Sequence, residues 1–436
     1  MTNRRGGLLC HRDFRLLWFG ETVSQAGSSM ALVVVPLLAV TMLRASTFEV
    51  ASMSAAGSLP WLLIGLPAGA WVDRLPARSL MIACDLVAAL LYASLPVAAW
   101  AGLLTIGQLA VVALLAGACN VLFTTAYQVY LPSLVTAGDL VEGNAKLQGS
   151  ASAATIGGRG AAGIAADALG AATAVLFNAA SFLVSAACLL RIAPGDQGPA
   201  RPTRAERTTT LRQEIASGAR FIVGDPYLRP LTIYAAVSNL AYAGYSSLIV
   251  VFLVRVAGLG AATVGLLMAA GGIGGTAGAL VARRVGRALG TARALLLTTL
   301  TDLFGLLIPL TQAGPRVICY AVGIVVATAG LLIGNILVAA FRQSYCPPGM
   351  LGRAVAGMRF LSFGAIPAGA LLAGVLGTAL GVRNALWFAL GAEALSGALL
   401  YTPAIVSRRD LPPGESYDVQ GIAGAVRSLS RGSRMH

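Results

Sequence analysis

Six ionisable residues lie inside long apolar stretches of the sequence, where a charge is costly. Five are acids and one is a base: Glu21, Asp85, Asp167, Asp302, Glu393 and Arg159. A charge at the centre of a bilayer costs about 2.5–3.5 kcal/mol on insertion scales, so such a residue is a functional candidate. A carboxyl group in a low dielectric holds a proton more readily and can exchange it near neutral pH. We therefore interpret Glu21 and Asp85 first, and Asp302 and Glu393 next, as sites for a proton or a cationic substrate.

Arg159 is the one base among them, within TIGGRGAAGIAAD (155–167). It either faces an internal cavity, where it would attract an anionic group or pair with Glu21, or it pairs locally. Asp167 is about 12 Å away along a helix axis, which is too far for direct contact. The small residues around Arg159 predict a close approach of neighbouring helices.

The elements that must position these residues are membrane spans. The 436-residue chain is 57% hydrophobic and 11% charged, with a mean hydropathy of +0.79, whereas soluble domains carry roughly 25% charged residues. A bilayer core about 30 Å thick needs roughly 20 apolar residues as a helix. This length predicts an all-α integral membrane protein with twelve spans, at 14–43, 49–72, 79–101, 104–131, 145–168, 171–192, 230–256, 261–282, 292–312, 317–341, 354–379 and 383–406.

The predicted spans fall into two sets of six, separated by one long polar stretch. The expected units are an N-terminus 1–13, a first bundle 14–192, a linker 193–229, a second bundle 230–406 and a basic, disordered tail 407–436. In the linker, Leu211, Ile215, Ala219 and Ile222 predict an amphipathic helix that ends at Asp225-Pro226. EVASMSAAG (49–57) also matches TVGLLMAAG (263–271). Two such repeats with a substrate site between them are common in secondary transporters.

The basic residues predict the orientation of the spans. With both termini in the cytoplasm, 26 of the 31 Lys and Arg residues fall in inner segments and adjoining helix ends. Only four fall outside: Arg44, Arg255, Arg316 and Arg383. This asymmetry follows the positive-inside rule. It accounts for the net charge of +14 without a nucleic-acid partner, and it predicts a multi-pass cell-membrane protein with cytoplasmic termini.

Several other functions lack the residues that they need. The six cysteines are dispersed and the two histidines are His11 and His436, so we expect no disulfide framework, metal site or cofactor. A P-loop needs a lysine in G-x-x-x-x-G-K-[ST], and the one lysine, Lys146, lies in EGNAKLQ. An ATPase on a separate subunit is an alternative, as is an ion-coupled importer or facilitator. The isolated acids argue against an enzyme.

Uncharged polar residues on the predicted spans could complete a ligand chamber with mostly apolar walls. Each of them could instead form a hydrogen bond to a neighbouring helix. They are Gln25, Asn120, Tyr127, Gln128, Asn178, Asn239, Tyr242, Tyr245 and Asn335.

A tight charged cluster in GAWVDRLPARS (69–79) separates the second and third predicted spans. It resembles the signature of the major facilitator superfamily, roughly G-x-x-x-D-R-x-G-R-R, in the same loop. FRLLWFGETVSQAGSSM (14–30), YQVYLPSLV (127–135) and GMLGRAVAGMRFL (349–361) resemble its drug-exporter branch of macrolide-efflux-like and enterobactin-exporter-like members. The chain departs from the signature at Pro76 and Ala77, and its G-P-x-x-x-G motif has Arg159 in place of the proline.

The resemblance implies a monomeric, proton-coupled exporter of small amphipathic molecules that works by alternating access. It also implies an inner gate at Gly69, Asp73, Arg74 and Arg78. A carboxylate at the end of a span can hold a cation or a helix N-terminus across the interface between two bundles. The arginines could instead only set the topology or bind lipid phosphate.

Overall fold

Long apolar runs fold into helices throughout the part of the chain that the computed structural model describes, residues 8–72, 74–136, 139–192, 220–346 and 351–412. No strand occurs in these ranges, which confirms the all-α class. The α-helices are α1 Arg12–Thr41, α2 Thr47–Leu63, α3 Gly65–Val72, α4 Ala77–Trp100, α5 Ile106–Leu134, α6 Leu140–Leu169, α7 Ala171–Arg191, α8 Leu228–Val251, α9 Ala261–Leu289, α10 Thr291–Thr301, α11 Val317–Tyr345, α12 Leu351–Leu380, α13 Val382–Ser396 and α14 Pro403–Val406.

Polar side chains start several of these helices by binding backbone N–H groups that have no partner within the helix. Ser46 and Glu49 form a reciprocal capping box at α2, a pairing that satisfies two such donors. Asp225 accepts hydrogen bonds from the backbone N–H groups of Tyr227 and Leu228, at 2.9 and 2.7 Å, where α8 begins. The described end of the linker is helical over residues 220–224 and stops before Asp225.

A single glycine joins two helices at three corners of the fold. Gly170, Gly290 and Gly381 have φ values of 83°, 87° and 84°, with ψ near 150°. This region of backbone conformation is open essentially to glycine alone. The corners link α6 to α7, α9 to α10 and α12 to α13 with no longer loop between them.

Nine helices within the described residues are long and apolar enough to cross a membrane. They are α1, α4, α5, α7, α9, α11, residues 361–380 of α12, and two helices that continue beyond their α-helical part: α8 into a π-helical turn at Phe252–Val256 and α10 into a 3-10 helix at Asp302–Leu310. The remaining predicted spans coincide with α2, α6 and α13. Two of these are short, with 17 and 15 residues, and α6 is rich in small and polar residues. The count of twelve spans therefore stays a prediction.

The second predicted span, 49–72, is not one continuous helix. It breaks at Ile64 into α2 and α3. Pro67 follows three residues later. Proline has no N–H group to donate to the carbonyl one turn earlier, so Pro67 leaves the backbone oxygen of Leu63 without that donor and contributes to the break.

Buried side chains divide into one shared core and two separate ones. We call α1–α7 the first half and α8–α14 the second half. The shared core joins Leu37 and Val34 of α1 to Leu248 of α8 and Leu267 of α9, so it contains both halves. Among the described residues, the other two cores each belong to one half. The halves are thus packed together at one end and separately cored at the end that holds Leu8, Leu189 and Leu411.

Two pairs of helices carry most of the contact between the halves: α6 with α9, and α2 with α12. At the first crossing, a Cβ atom on Gly163 would overlap the backbone oxygen of Ala261 and lie 2.9 Å from the nitrogen of Gly265. At the second, a Cβ atom on Gly374 would lie 2.7 Å from the Cβ of Ala51. Small residues allow such backbone proximity. The close approach predicted for the glycines around Arg159 is therefore present.

The ends of the linker and of the tail pack on the second half. Ile222 is 1% exposed in the core of that half, whereas Leu211, Ile215 and Ala219 of the predicted linker helix lie outside the described residues. The first residues of the predicted tail lie at the N-terminus of α10. There Asp410 accepts a hydrogen bond of 2.8 Å from the backbone N–H of Thr291.

Candidate functional site

Two carboxyl groups approach each other in the interior of the first half. Asp85 of α4 is 2% exposed, and the charge of Glu21 of α1 acts on it. Ser185 of α7 faces Asp85 with its hydroxyl group, and Tyr127 of α5 lies close to Glu21. One oxygen of each carboxyl group is buried without a hydrogen-bond partner among the described residues. Two predicted proton sites, distant in sequence, therefore form one cluster.

A second pair of carboxyl groups lines a cleft in the second half. Asp302, which is 6% exposed, begins the 3-10 helix, and Glu393 lies on α13. Ser238 of α8 donates a hydrogen bond of 2.5 Å to Glu393 Oε1. The other lining residues are mainly apolar, and Tyr242 and Tyr245 add two aromatic rings. An apolar chamber with a few polar groups is typical of sites for small organic ligands.

Arg159 lies at the crossing of α6 and α9 and faces two tyrosines of the second half. Its charge acts on Tyr245 and Tyr320, whose hydroxyl oxygens are 3.1 Å apart. No described acid lies within ion-pairing distance of its guanidinium, and its Nε is buried without a described hydrogen-bond partner. Glu21 and the exposed Asp167 thus form no ion pair with Arg159. Tyr245 also lines the cleft, so Arg159 lies next to a residue that forms part of the cleft wall.

The predicted chamber residues fall into several environments. Tyr242 lines the cleft and Tyr127 belongs to the first carboxyl cluster. Asn178 is fully buried beside Gly27, between α7 and α1, so it contributes to helix packing. Gln25 and Asn239 are partly exposed, and Asn120, Gln128 and Asn335 are exposed.

The described residues of the predicted gate have different environments. Asp73 lies outside the described residues. No atom lies within 4 Å of the Cβ position of Gly69, and Arg74 is exposed. Arg78 instead donates hydrogen bonds of 2.8 and 2.9 Å to the backbone oxygens of Leu189 and Leu190. A cation at the C-terminus of a helix is favourable, so Arg78 stabilises the end of α7 in this conformation.

Sequence reasoning missed three polar residues that the fold places at important positions. Ser185 and Ser238 face carboxyl groups on other helices, yet a helical serine often bonds only its own backbone. Arg255 donates a hydrogen bond of 3.3 Å to the backbone oxygen of Val40, which joins α1 to the π-helical turn of the second half. Within the described residues, no group of three His, Cys, Asp or Glu residues could hold a metal ion.

Comparisons with known proteins agree with these observations. Residues 8–426 match the model of the transmembrane secretion effector family. The multidrug efflux pump Tap of Mycolicibacterium fortuitum is 30% identical over 397 residues, which covers 88% of this chain and 92% of that protein. Among solved structures, that of a mutant of the nucleoside transporter NupG gives a TM-score of 0.75 at 13% identity and covers 89% of this chain and 100% of its own. A bacterial homologue of the iron transporter ferroportin in an inward-facing state gives 0.68 at 16% identity, with coverages of 91% and 98%.

Proposed function

Because the chain belongs to the transmembrane secretion effector family of the major facilitator superfamily, and is thus a multi-pass membrane transporter, we propose that it exports small amphipathic molecules across the cell membrane in exchange for protons. The similarity to a multidrug efflux pump supports drug-like substrates. The apolar cleft with two acids and two tyrosines is consistent with such ligands.

The arrangement of the cores is the observation that carries the alternating-access part of this proposal. One core binds the two halves together at the end away from the termini, and separate cores stabilise each half at the other end. Two rigid units that meet at one end can part there and meet at the other. With the orientation that the basic residues favour, the present conformation is closed to the outside and open to the cytoplasm.

The acids inside the two halves support proton coupling: Asp85 and Asp302 are buried, and Glu21 and Glu393 are half-buried. Glu21, Asp85, Asp302 and Glu393 interact with no described lysine or arginine. An uncompensated charge in a buried site costs several kcal/mol. Proton uptake removes that cost, so these acids are suited to bind a proton in one conformation and release it in another.

We place the inner gate around Gly69, Asp73 and Arg74. The open space at Gly69 is consistent with a gate that is parted in this conformation and would leave room for the second half to approach. The variant Asp73→Asn is expected to abolish transport and to leave the amount of protein in the membrane unchanged. Normal transport by this variant would remove Asp73 from the gate.

The decisive experiment measures the accumulation of a panel of labelled drugs and siderophores in cells with and without the protein, before and after an uncoupler is added. We expect lower accumulation with the protein, and the uncoupler should abolish the difference. A flux that persists after the uncoupler would indicate facilitated diffusion, and higher accumulation would indicate import.

A further inference from the structure

We infer that each half of the protein contains its own proton-binding site, built from one aspartate, one glutamate and one serine on three helical segments. The first site is Glu21, Asp85 and Ser185, and the second is Ser238, Asp302 and Glu393. This inference rests on the proposed proton coupling and adds that two sites, one per half, take part in it.

The two sites use helical segments at matching places in the order of each half. The first site draws on α1, α4 and α7, and α7 packs against both of the others. The second draws on α8, the 3-10 helix and α13, and α13 likewise packs against both of the others. In each half the first, third and sixth predicted spans therefore enclose the acids.

The glutamate and the serine exchange places between the two sites. Glu21 lies on the first predicted span of its half and Ser185 on the sixth, whereas Ser238 lies on the first span of the other half and Glu393 on the sixth. The aspartate stays on the third span in both. The same three functional groups thus meet in each half although no short motif is shared. Helix packing alone would not require one aspartate, one glutamate and one serine to come together in both halves. The repeated set therefore argues for a shared chemical role.

The serines distinguish these sites from acids that are merely buried. Ser238 Oγ donates to Glu393 Oε1 at 2.5 Å and Ser185 faces Asp85, and these serines are 7% and 2% exposed. Ser238 therefore donates its hydroxyl proton to a carboxylate of another helix, and Ser185 lies beside one. We assign both serines as positioning residues, because they fix one carboxyl group and leave the other to exchange its proton.

The surroundings contain no described cation that could neutralise either pair. Around the first pair, the titratable neighbours are Tyr127 and Cys119 of α5 and Cys84 of α4, and Cys188 of α7 packs beside Gly20. Around the second pair, they are Tyr234, Tyr242 and Tyr245 of α8, and α11 presents Thr328. Arg159 faces Tyr245 and Tyr320 and not the acids. A proton is therefore the counter-charge available to each pair.

Infrared difference spectra recorded between two pH values would test for two separate sites, since a protonated carboxyl group has its own C=O stretch. The sample is the purified full-length protein in detergent. We compare the wild type with the double variants Glu21→Gln/Asp85→Asn and Asp302→Asn/Glu393→Gln. Each is expected to lose one set of carboxyl bands and to keep the other. The inference would be overturned if either double variant lost both sets of carboxyl bands, or if either left the spectrum unchanged.

The serine assignment has its own test in the same spectra. Ser238→Ala should move the midpoint of the second set of bands by about one pH unit toward tighter proton binding, because a hydrogen bond to a charged group contributes about 1.5 kcal/mol. The first set should not move. Ser246→Ala is the matched control, because that hydroxyl binds the backbone of its own helix, and Ser238→Thr should restore the wild-type midpoint. A loss of stability with both midpoints unchanged would refute the positioning role.

These spectra do not depend on transport, so the two proposals fail in different ways. If the uncoupler has no effect on drug flux while both sets of bands are present, the two-site inference is supported and the proton-coupling proposal is wrong. If flux depends on the proton gradient but one double variant leaves the spectrum unchanged, the coupling stands and the two-site inference falls.

Discussion

The crossing of α6 and α9 should tolerate no side chain at Gly163, and the variant Gly163→Ala tests this. The crossing joins the two halves at the end where they share a core. A methyl group at Gly163 would meet the backbone of Ala261 and Gly265, not the movable end of a side chain. The helices must therefore separate, and the shared core must loosen with them.

The expected loss follows from two opposing terms. Overpacking in a well-packed interior costs about 1–3 kcal/mol. Alanine in place of glycine within a helix gains about 0.5–1 kcal/mol from backbone entropy. These ranges give a net destabilisation of about 0–2.5 kcal/mol, and the overlap with a backbone oxygen favours the upper half, about 1–2.5 kcal/mol. If Gly163→Ala destabilises only the present conformation, the population of this conformation relative to the alternative conformation decreases about tenfold.

The matched control is Gly157→Ala on the same helix, where no atom lies within 4 Å of the Cβ position. The assay is thermal unfolding of the purified protein in detergent. Gly157→Ala should unfold at or above the wild-type temperature, and Gly163→Ala clearly below it. Equal or reversed midpoints would refute the claim that this crossing determines how closely the halves pack.

Two arginines give further predictions. Arg255→Gln removes the hydrogen bond to the Val40 carbonyl, so we expect a broader distribution of distances between spin labels on the adjoining ends of α1 and α8; Arg316→Gln, whose partner is on its own loop, should leave the distribution unchanged. Arg78→Ala removes two bonds to the last turn of α7 and should lower the free energy of unfolding by about 1.5–3 kcal/mol, whereas the exposed Arg74→Ala should change it little. Equal stabilities for the latter two variants would contradict the role of Arg78.

The helices can be predicted from the sequence because their signals are local. Apolar runs of about 20 residues coincide with helical segments, the helical residues 220–224 end at Asp225 as the Asp225-Pro226 pair predicts, and the glycines around Arg159 lie at a close crossing. The breaks are less visible. A proline within an apolar run weakens a helix, but hydropathy alone does not register the interruption at Ile64.

The pairing of the acids cannot be predicted in this way, because it depends on how each helix is rotated about its axis. Glu21 and Asp85 are 64 positions apart and Asp302 and Glu393 are 91 apart, and a single sequence contains no record of which faces meet. The same limit applies to Arg78: the sequence pattern predicts a role in the gate, and only the fold shows its bonds to backbone oxygens more than 100 positions away. The pattern also assigns Asn178 to the chamber, yet a buried amide equally suits a helix contact.

The glycine corners at positions 170, 290 and 381 restrict how this protein can be engineered and how it can vary. Because a single residue joins the two helices at each corner, the connection has no spare length and the two helices move together. Any substitution there adds a side chain that the backbone angle disfavours. We therefore expect these three positions to tolerate little sequence variation. Reporter tags or epitope insertions should go elsewhere, for example in the turn at residues 313–316, where every residue is exposed.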